Sequence, residues 1–461
     1  MHARPIKFSA APPKRKASLN ACHLDVTAAP TIATADLQVG MFVHLDLGWM
    51  SHPFALSSFR IADAAQIASI RSLGLARVRW SPEQSDAAAA PSRPQPNDSH
   101  QREAASRPSN ETAQPAATPH TAAAQRRAAS LVERQYAEAA RDWRVTADLT
   151  VRDPLTAGQR MAALSQALVT KMLAARELSI RAVTAAPNEG SRHATNVGVL
   201  ALLMGRLCGL SEAEMQDLGV GALAHDIGKT ELPLALHRAD PHLSSADMAR
   251  YRDHVALGLG LGKRMGLTPG AMLVIGQHHE HLDDSGYPQG IGGQRISVPA
   301  RMVALVNRYD NLCHGSARTL AMTPHDALSL LFSQGQRQYD PALLGAFVRM
   351  MGVYPPGSVV QLTDDRYAVV ESVCASRPLR PKVQIHEPGT AHDEAALLDL
   401  SQQRTLGIRR ALAAEQLPSA VREQLMPLRR AAWFFEASDD DADDCDGDGD
   451  AQAPSQVATR H

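Results

Sequence analysis

Ala222-Leu223-Ala224-His225-Asp226-Ile227-Gly228-Lys229 sets an imidazole directly beside a carboxylate in apolar surroundings. Leu218, Ala222, His225 and Lys229 recur at helical spacing, which predicts one shared stripe with Asp226 a residue's turn around from it. A buried carboxylate next to a buried imidazole is costly unless something pairs with both. A divalent metal removes that cost, because imidazole nitrogen and carboxylate oxygen both ligate it. Gly219, Gly221, Ala222 and Ala224 are small enough to let neighbouring helices approach and bring in further ligands. The plain alternative is a histidine capped by its neighbour, and the pair alone does not separate the two readings.

The chain has 461 residues, enough for two or three domains and a sizeable core. Lys and Arg number 47 against 48 Asp and Glu, so no global basic field points to a nucleic-acid polymer. Cys22, Cys208, Cys313, Cys374 and Cys445 are odd in number and lack CxxC spacing, which argues for reduced thiols and against a disulfide framework or a zinc ribbon. No apolar run reaches membrane-spanning length, and the N-terminus lacks the apolar core of a secretory signal. The expected location is the bacterial cytoplasm.

Composition and periodicity predict a mainly α protein: a helical bundle preceded by a small α/β domain and followed by a small β appendage. Residues 1–35 read as a disordered arm, rich in Ala, Pro and Lys. Residues 36–82 read as the α/β unit, with strands at Leu37–Leu45, Phe59–Ile61 and Ala76–Trp80. Between them Ile67, Ile70 and Leu73 share one helical face, which Gly74 ends. Residues 83–125 are a linker of Ala, Pro, Ser and Gln. Helical patterning holds from Arg126 to Met351, with strand-like stretches nearly absent. Residues 352–390 offer short strands at Ser358–Leu362, Tyr367–Val370 and Pro381–Ile385. Residues 391–461 are expected to hold a helical segment and an acidic tail. The Asp and Gly run at 439–450 lacks the apolar frame of a calcium loop.

Candidate ligands fall on five predicted helices. The first is capped by Asn188 after Pro187 and carries Glu189, His193, Asn196 and Leu200 along one face. Taken alone, Glu189 and His193 are better read as a surface i,i+4 pair. The second carries His225 and Asp226. The third begins near Ser244 or Ser245, with Asp247 at capping-box spacing, and carries His254, while Gly258 and Gly262 permit close packing. The fourth starts Thr268-Pro269 and ends Gln277-His278-His279-Glu280. Its adjacent histidines point about 100° apart, so both serve one site only at a helix end or around more than one metal. A Gly-rich loop, Asp283 to Gly293, leads to the fifth helix, which starts at Pro299 and brings Asn307 and Asp310 to one face.

These residues together resemble the HD-GYP domain, the phosphodiesterase branch of the HD metal-dependent hydrolases, over roughly residues 150–350. The match is carried by His193, His225-Asp226 with Ile227-Gly228-Lys229, His254, His278-His279-Glu280 and Gly286-Tyr287-Pro288. The unit at 36–81 is similar, through Val39-Gly40-Met41 and Gly48 to Phe54, to a small domain of unknown function found ahead of some HD-GYP domains. The resemblance implies hydrolysis of cyclic di-GMP to the linear dinucleotide or on to GMP, with two or three divalent metal ions that activate water and neutralise phosphate charge. It implies Asp226 as a bridging ligand, His193 and His225 completing one site, His254, His278 and His279 serving the others, and Glu189 as a further ligand. Mixed imidazole and carboxylate ligation suits Fe or Mn. Lys229 is implied in phosphate contact or leaving-group assistance, its plain alternative being a salt bridge to Asp226, and Tyr287 in shaping the nucleotide pocket. Implied partners are cyclic di-GMP and, among proteins, diguanylate cyclases (GGDEF) or other signalling proteins.

The sequence departs from the family pattern on the fifth helix. The family places two aspartates three apart around an aromatic; here the first, a metal ligand, is Asn307. An amide oxygen can coordinate, but it is neutral. The basic residues that many relatives carry just after this helix are not matched at Ser316 and Thr319, with Arg318 a substitute only if the loop path differs. Three functions follow: an active cyclic di-GMP phosphodiesterase, a metal-bound sensor or interaction module without turnover, and a hydrolase of another nucleotide. The intact Gly-Tyr-Pro turn argues against the third, and Asn307 supports the second.

Overall fold

The computed structural model describes residues 30–47, 54, 58–86, 119–184, 188–237, 243–315, 320–388, 395–403, 405–425 and 431–438. Most of the expected arm and linker, all of the acidic run and Arg318 lie outside the described residues. The chain divides into two units, one around residues 30–46 and 60–86, the other comprising the described residues of 47–59 and 119–438.

The N-terminal sheet consists of β1 (Thr31–Ala33), β2 (Phe42–His44), β3 (Ser58–Arg60) and β4 (Arg77–Ser81) in the order β1-β4-β2-β3, with helix α1 (Ala64–Ser72) between the last two strands in sequence. Order starts earlier than expected, because Ile32 is buried as β1 pairs with β4 across Ile32 and Val78. The predicted strand at 37–45 shrinks to three residues, since Gly40 turns the chain with φ +89°. Helix α1 runs as predicted: Asp63 caps Gln66, Ile67 and Ile70 are buried, and Gly74 ends it at φ +72°.

The larger unit opens with α2 (Pro119–Leu149) and α3 (Pro154–Ala174), then β5 (Glu177–Thr184), α4 (Glu189–Leu207), α5 (Glu212–Ala224), α6 (Ser245–Arg252), α7 (His254–Arg264), α8 (Pro269–Gln277), α9 (Val298–His314), α10 (Pro324–Gln334) and α11 (Pro341–Met351). Capping residues set the starts. Asp153, Asn188, Ser211, Ser244, Thr268, Ser297, Thr323 and Asp340 each accept from a backbone N–H of the first turn. Helix α2 begins seven residues before the predicted Arg126.

The remainder is β6 (Val359–Leu362), β7 (Tyr367–Cys374), β8 (Lys382–Ile385), β9 (Leu397–Asp399), β10 (Ile408–Ala411), the short helix α12 (Ser419–Leu425) and β11 (Ala431–Ser438). The three predicted strands are present. The appendage they were expected to form is instead part of a seven-stranded sheet ordered β10-β6-β7-β5-β11, with β8 pairing β7 and β9 pairing β8. Four strands of this sheet, β5, β9, β10 and β11, were not anticipated. In β5, Leu178, Ile180 and Ala182 alternate with polar residues inside a region otherwise helical in pattern. The C-terminal segment expected to be helical contains β11, which pairs antiparallel with all eight residues of β5. Trp433, Phe434 and Phe435 of β11 are fully buried in the same core as Leu200, Leu223, Tyr309 and Phe347, so the last strand closes the helical domain. No helix among the described residues is long and apolar enough to cross a membrane.

Candidate metal centre

Helix α5 stops at Ala224, so His225 and Asp226 do not continue the predicted stripe. His225 is the C-cap, Asp226 leaves the helical region at φ −101°, ψ 9°, and Ile227–Glu231 form a 3-10 turn. The break turns the Asp226 carboxylate inward between neighbouring helices. Small residues make the approach possible. A Cβ on Gly219 would lie 2.3 Å from Ser165 Oγ on α3, and one on Gly221 2.5 Å from Val274 Cβ on α8. A Cβ on Gly228 would lie 2.0 Å from the backbone oxygen of His254. The Leu223 carbonyl, left over at the helix end, accepts from Trp143 Nε1 at 2.7 Å.

Two ligand sets meet at Asp226. His193, His225 and Asp226 form one, and Asp226, His254, His278 and His279 the other, each with its ligand atoms within 4.8 Å of one another. His254 heads α7, not the helix that Ser244 caps, because Asp253 ends α6. His278 is the C-cap of α8, which lets both it and His279 face the centre. Three imidazoles are fixed from behind by backbone carbonyls: His225 Nδ1 by Ala222 (2.7 Å), His254 Nδ1 by Tyr251 (2.6 Å) and His278 Nδ1 by Ile275 (2.8 Å). Those bonds require a proton on Nδ1 and leave Nε2 as a lone pair. The lone pairs then converge: His193 Nε2 and His225 Nε2 are 3.2 Å apart, and His254 Nε2 and His278 Nε2 3.4 Å. Asp226 Oδ1 and His279 Nε2 are buried without a hydrogen-bond partner. Inward lone pairs, a carboxylate shared between two sets and two orphaned buried acceptors fit divalent cations and little else.

The electrostatics agree. Burial, the largest cause, holds His225 down to about 4 and His254 down to about 3, so both are neutral ligands at neutral pH. His279 is likewise lowered by burial and by the adjacent His278. Burial opposes the charge on Asp226, but Lys229, then His225 and His193, outweigh it and hold the carboxyl well below its usual range. Lys229 Nζ lies 2.5 Å from Asp226 Oδ2 and 5.2 Å from the centre of the Tyr251 ring, so the salt bridge weighed for it is present.

The Gly-Tyr-Pro turn is held against the ligand helix. Glu280, next to the two histidines and buried, accepts from the backbone N–H of Gln289 (2.8 Å) and Ile291 (3.1 Å). A Cβ on Gly286 would meet Glu280 Cα at 2.5 Å, so only glycine lets the loop close. Tyr287 stacks on His279 with ring centres 4.5 Å apart, and the Arg252 guanidinium lies 4.8 Å from the Tyr287 ring centre. Arg252 is exposed at this rim and was not singled out from the sequence.

Glu189 does not join either set. Its half-exposed carboxylate lies 3.8 Å from Arg192. Asn307 is buried on α9, and its amide oxygen accepts from Asn311 Nδ2 at 2.7 Å. Asp310, read from the sequence as sharing a face of this helix with Asn307, lies behind His193. Its Oδ2 is 2.6 Å from His193 Nδ1, and its Oδ1 accepts from Asn196 Nδ2 at 2.7 Å. The i+3 spacing of Asn196 from His193 and of Asp310 from Asn307 was the available signal.

Comparison with known proteins bears on this centre. Residues 159–343 match the family described as HD domain. The chain carries an HD domain. The matched stretch holds both ligand sets and the Gly286-Tyr287-Pro288 turn. Residues 30–151 match a domain of unknown function, DUF3391, a match that runs from the N-terminal sheet through the end of α2. Cyclic di-GMP phosphodiesterase PA4108 of Pseudomonas aeruginosa is 27% identical over 196 residues, 42% of this chain and 47% of that protein. The cyclic di-GMP phosphodiesterase response regulator RpfG of Xanthomonas campestris is 31% identical over 153 residues, 32% and 40% respectively. The 3'3'-cGAMP-specific phosphodiesterase 3 of Vibrio cholerae is 27% identical over 163 residues, 35% of each chain. The chain spans less than half the length of these relatives.

Proposed function

We propose that this protein is a metal-dependent phosphodiesterase that hydrolyses cyclic di-GMP to the linear dinucleotide or to GMP. The observation that carries the reading is the carboxylate of Asp226, common to two ligand sets whose remaining donors are inward lone pairs. Bound cations supply a more acidic water and neutralise charge on phosphate oxygens. His193 and His225 would hold one ion, His254, His278 and His279 the other, and Asp226 would contribute to both. We assign Fe or Mn from the ligand chemistry.

The chain's own groups supply the rest. Lys229 carries its ammonium beside Asp226, where it neutralises a phosphate oxygen or stabilises the departing oxygen. Tyr287 and Arg252 form a wall against His279 on which a guanine base or a second phosphate rests. Asn307 brings one charge fewer to α9 than an aspartate would, and it favours a second reading: a module that binds the dinucleotide without turnover.

Product analysis of the purified, metal-reconstituted protein separates these readings. Linear dinucleotide or GMP released from cyclic di-GMP supports the first. Retained binding without either product, with Fe and with Mn, supports the second. Turnover of 3'3'-cGAMP but not of cyclic di-GMP would move the substrate assignment while leaving the chemistry in place.

A further inference from the structure

His193 differs from the other candidate ligands. Whereas His225, His254 and His278 are each fixed by the backbone carbonyl three residues earlier, His193 Nδ1 meets the Asp310 carboxylate of α9. A fully buried polar chain continues from there. Asp310 Oδ1 accepts from Asn196 Nδ2 at 2.7 Å, and Asn196 Oδ1 accepts from the backbone N–H of Trp433 at 3.2 Å. Strand β11 ends the sheet and pairs on one edge with β5, so this N–H points off the other edge into the core, where an unpaired donor would be costly. Asn196, Asp310 and Trp433 are each no more than 1% exposed.

The polarity of this chain is fixed from its far end. Trp433 N–H can only donate, so the Asn196 amide must present its oxygen to the strand and its nitrogen to Asp310. Asp310 then has acceptors alone to offer His193, which keeps the proton on Nδ1 and the lone pair on Nε2, where a metal binds. We propose that Asn196 and Asp310 are positioning residues of the metal centre, and that the C-terminal strand is the anchor from which they set the tautomer and aim of His193. Strand β11 lies beyond the HD domain match at 159–343, so a segment outside that match helps build the centre inside it. The inference rests on the metal-centre reading and is independent of the substrate.

The experiment uses the full chain, with bound Mn counted by elemental analysis and its pairing read by electron paramagnetic resonance. In Asp310→Asn, the Asn196 nitrogen still claims the oxygen of the new amide. That amide then turns an N–H toward His193 Nδ1 and forces the tautomer that cannot ligate. In Asn196→Asp, two carboxylates face each other and the donor is gone. Each single variant is expected to keep the Asp226/His254/His278/His279 ion, lose the His193 ion at about 10–100-fold weaker affinity, and show isolated Mn in place of a spin-coupled pair. The double variant Asn196→Asp/Asp310→Asn swaps the two groups and restores the hydrogen bonds from Trp433 through to His193. The Trp433 N–H donates to the carboxylate now on α4, the amide now on α9 donates to that same carboxylate, and the amide oxygen accepts from His193 Nδ1. This variant is expected to recover two ions and the coupled signal. Single variants that bind two ions with unchanged affinity, or a folded double variant with one ion, would overturn the proposal. Should the single variants not fold, the double variant decides alone by the same ion count. A wild type that binds no metal would instead refute the metal-centre reading.

Discussion

Gly228→Ala should damage both the stability of the fold and the metal centre. The added Cβ would lie 2.0 Å from His254 O and 2.5 Å from Gly258 N, both backbone atoms that cannot rotate away. That is about 1.4 Å short of ordinary van der Waals contact. The 3-10 turn after Asp226 and helix α7 must therefore separate by about that distance. Overpacking of a close-packed core costs about 1–3 kcal/mol, and a clash against backbone falls at the top of that range. For a domain of this size, about 3 kcal/mol lowers Tm by about 6–12 °C. The same separation pulls Asp226 away from His254, and about 1 Å of misplacement costs on the order of 100-fold in rate. Thermal unfolding and metal content of the purified variant measure both effects. Gly260→Ala, on the same helix with nothing within 4 Å of the new Cβ, is the control and should stabilise by about 0.5–1 kcal/mol. An unchanged Tm with full metal content in Gly228→Ala would show that the turn does not pack on α7 as described.

Asp226→Ala should empty both ligand sets, whereas His225→Ala should weaken mainly the set with His193; elemental analysis of the two variants separates them, and full occupancy in Asp226→Ala would remove the bridging role. Asn307→Asp should raise metal occupancy with activity equal or higher, and Asn307→Ala should lower occupancy if the amide oxygen ligates; equal metal content and turnover in Asn307→Ala would mean that it does not. In metal-free protein, burial holds His225 at about 4 and His254 at about 3, against a usual 6.5 in the unfolded chain. The unfolded state therefore takes up more protons as pH falls, so stability is present above about pH 6.5 and lost as pH drops toward 4; chemical denaturation with chelator across that window tests the slope. Lys171 is buried, its ammonium donates to Phe54 O at 2.8 Å, and burial lowers its pKa to about 7. A chain beginning at Pro119 loses that acceptor and should unfold at lower temperature than the full chain, with Lys171→Met recovering part of the loss; no recovery would mean that the buried charge is not the cause.

Local signals carried most of the helices. Each cap from Asn188 to Ser297 is a short polar residue one step before an apolar-periodic run, and such residues bond to the backbone within three positions wherever they stand. The strands that were missed show the limit of local reading. β5 is eight residues long and half polar, and what makes it a strand is β11, its antiparallel partner about 250 residues later. β11 itself, Ala-Ala-Trp-Phe-Phe-Glu-Ala-Ser, is apolar on both faces and reads equally as the end of a helix. Only the pairing, together with the slot between β5 and α4, selects the extended form.

The candidate site divides along the same line. His193, His225, Asp226, His254, His278 and His279 announce themselves, because imidazoles and a carboxylate in apolar surroundings have little else to do there. The helix break at Ala224 does not, since Asp226-Ile227-Gly228 reads as helix until His254 O and Gly258 N press on Gly228 from α7. Asp310 was legible as a residue but not as a role: its i+3 offset from Asn307 says that both share a face of α9, and only the position of α4 says that the carboxylate meets His193 Nδ1 from behind. Ligands follow from side-chain chemistry, which a sequence states outright. The groups that aim the ligands follow from which backbone donor lies at the far end of a buried hydrogen-bond chain. Here that donor is the N–H of Trp433, 237 residues from the Asn196 it orients.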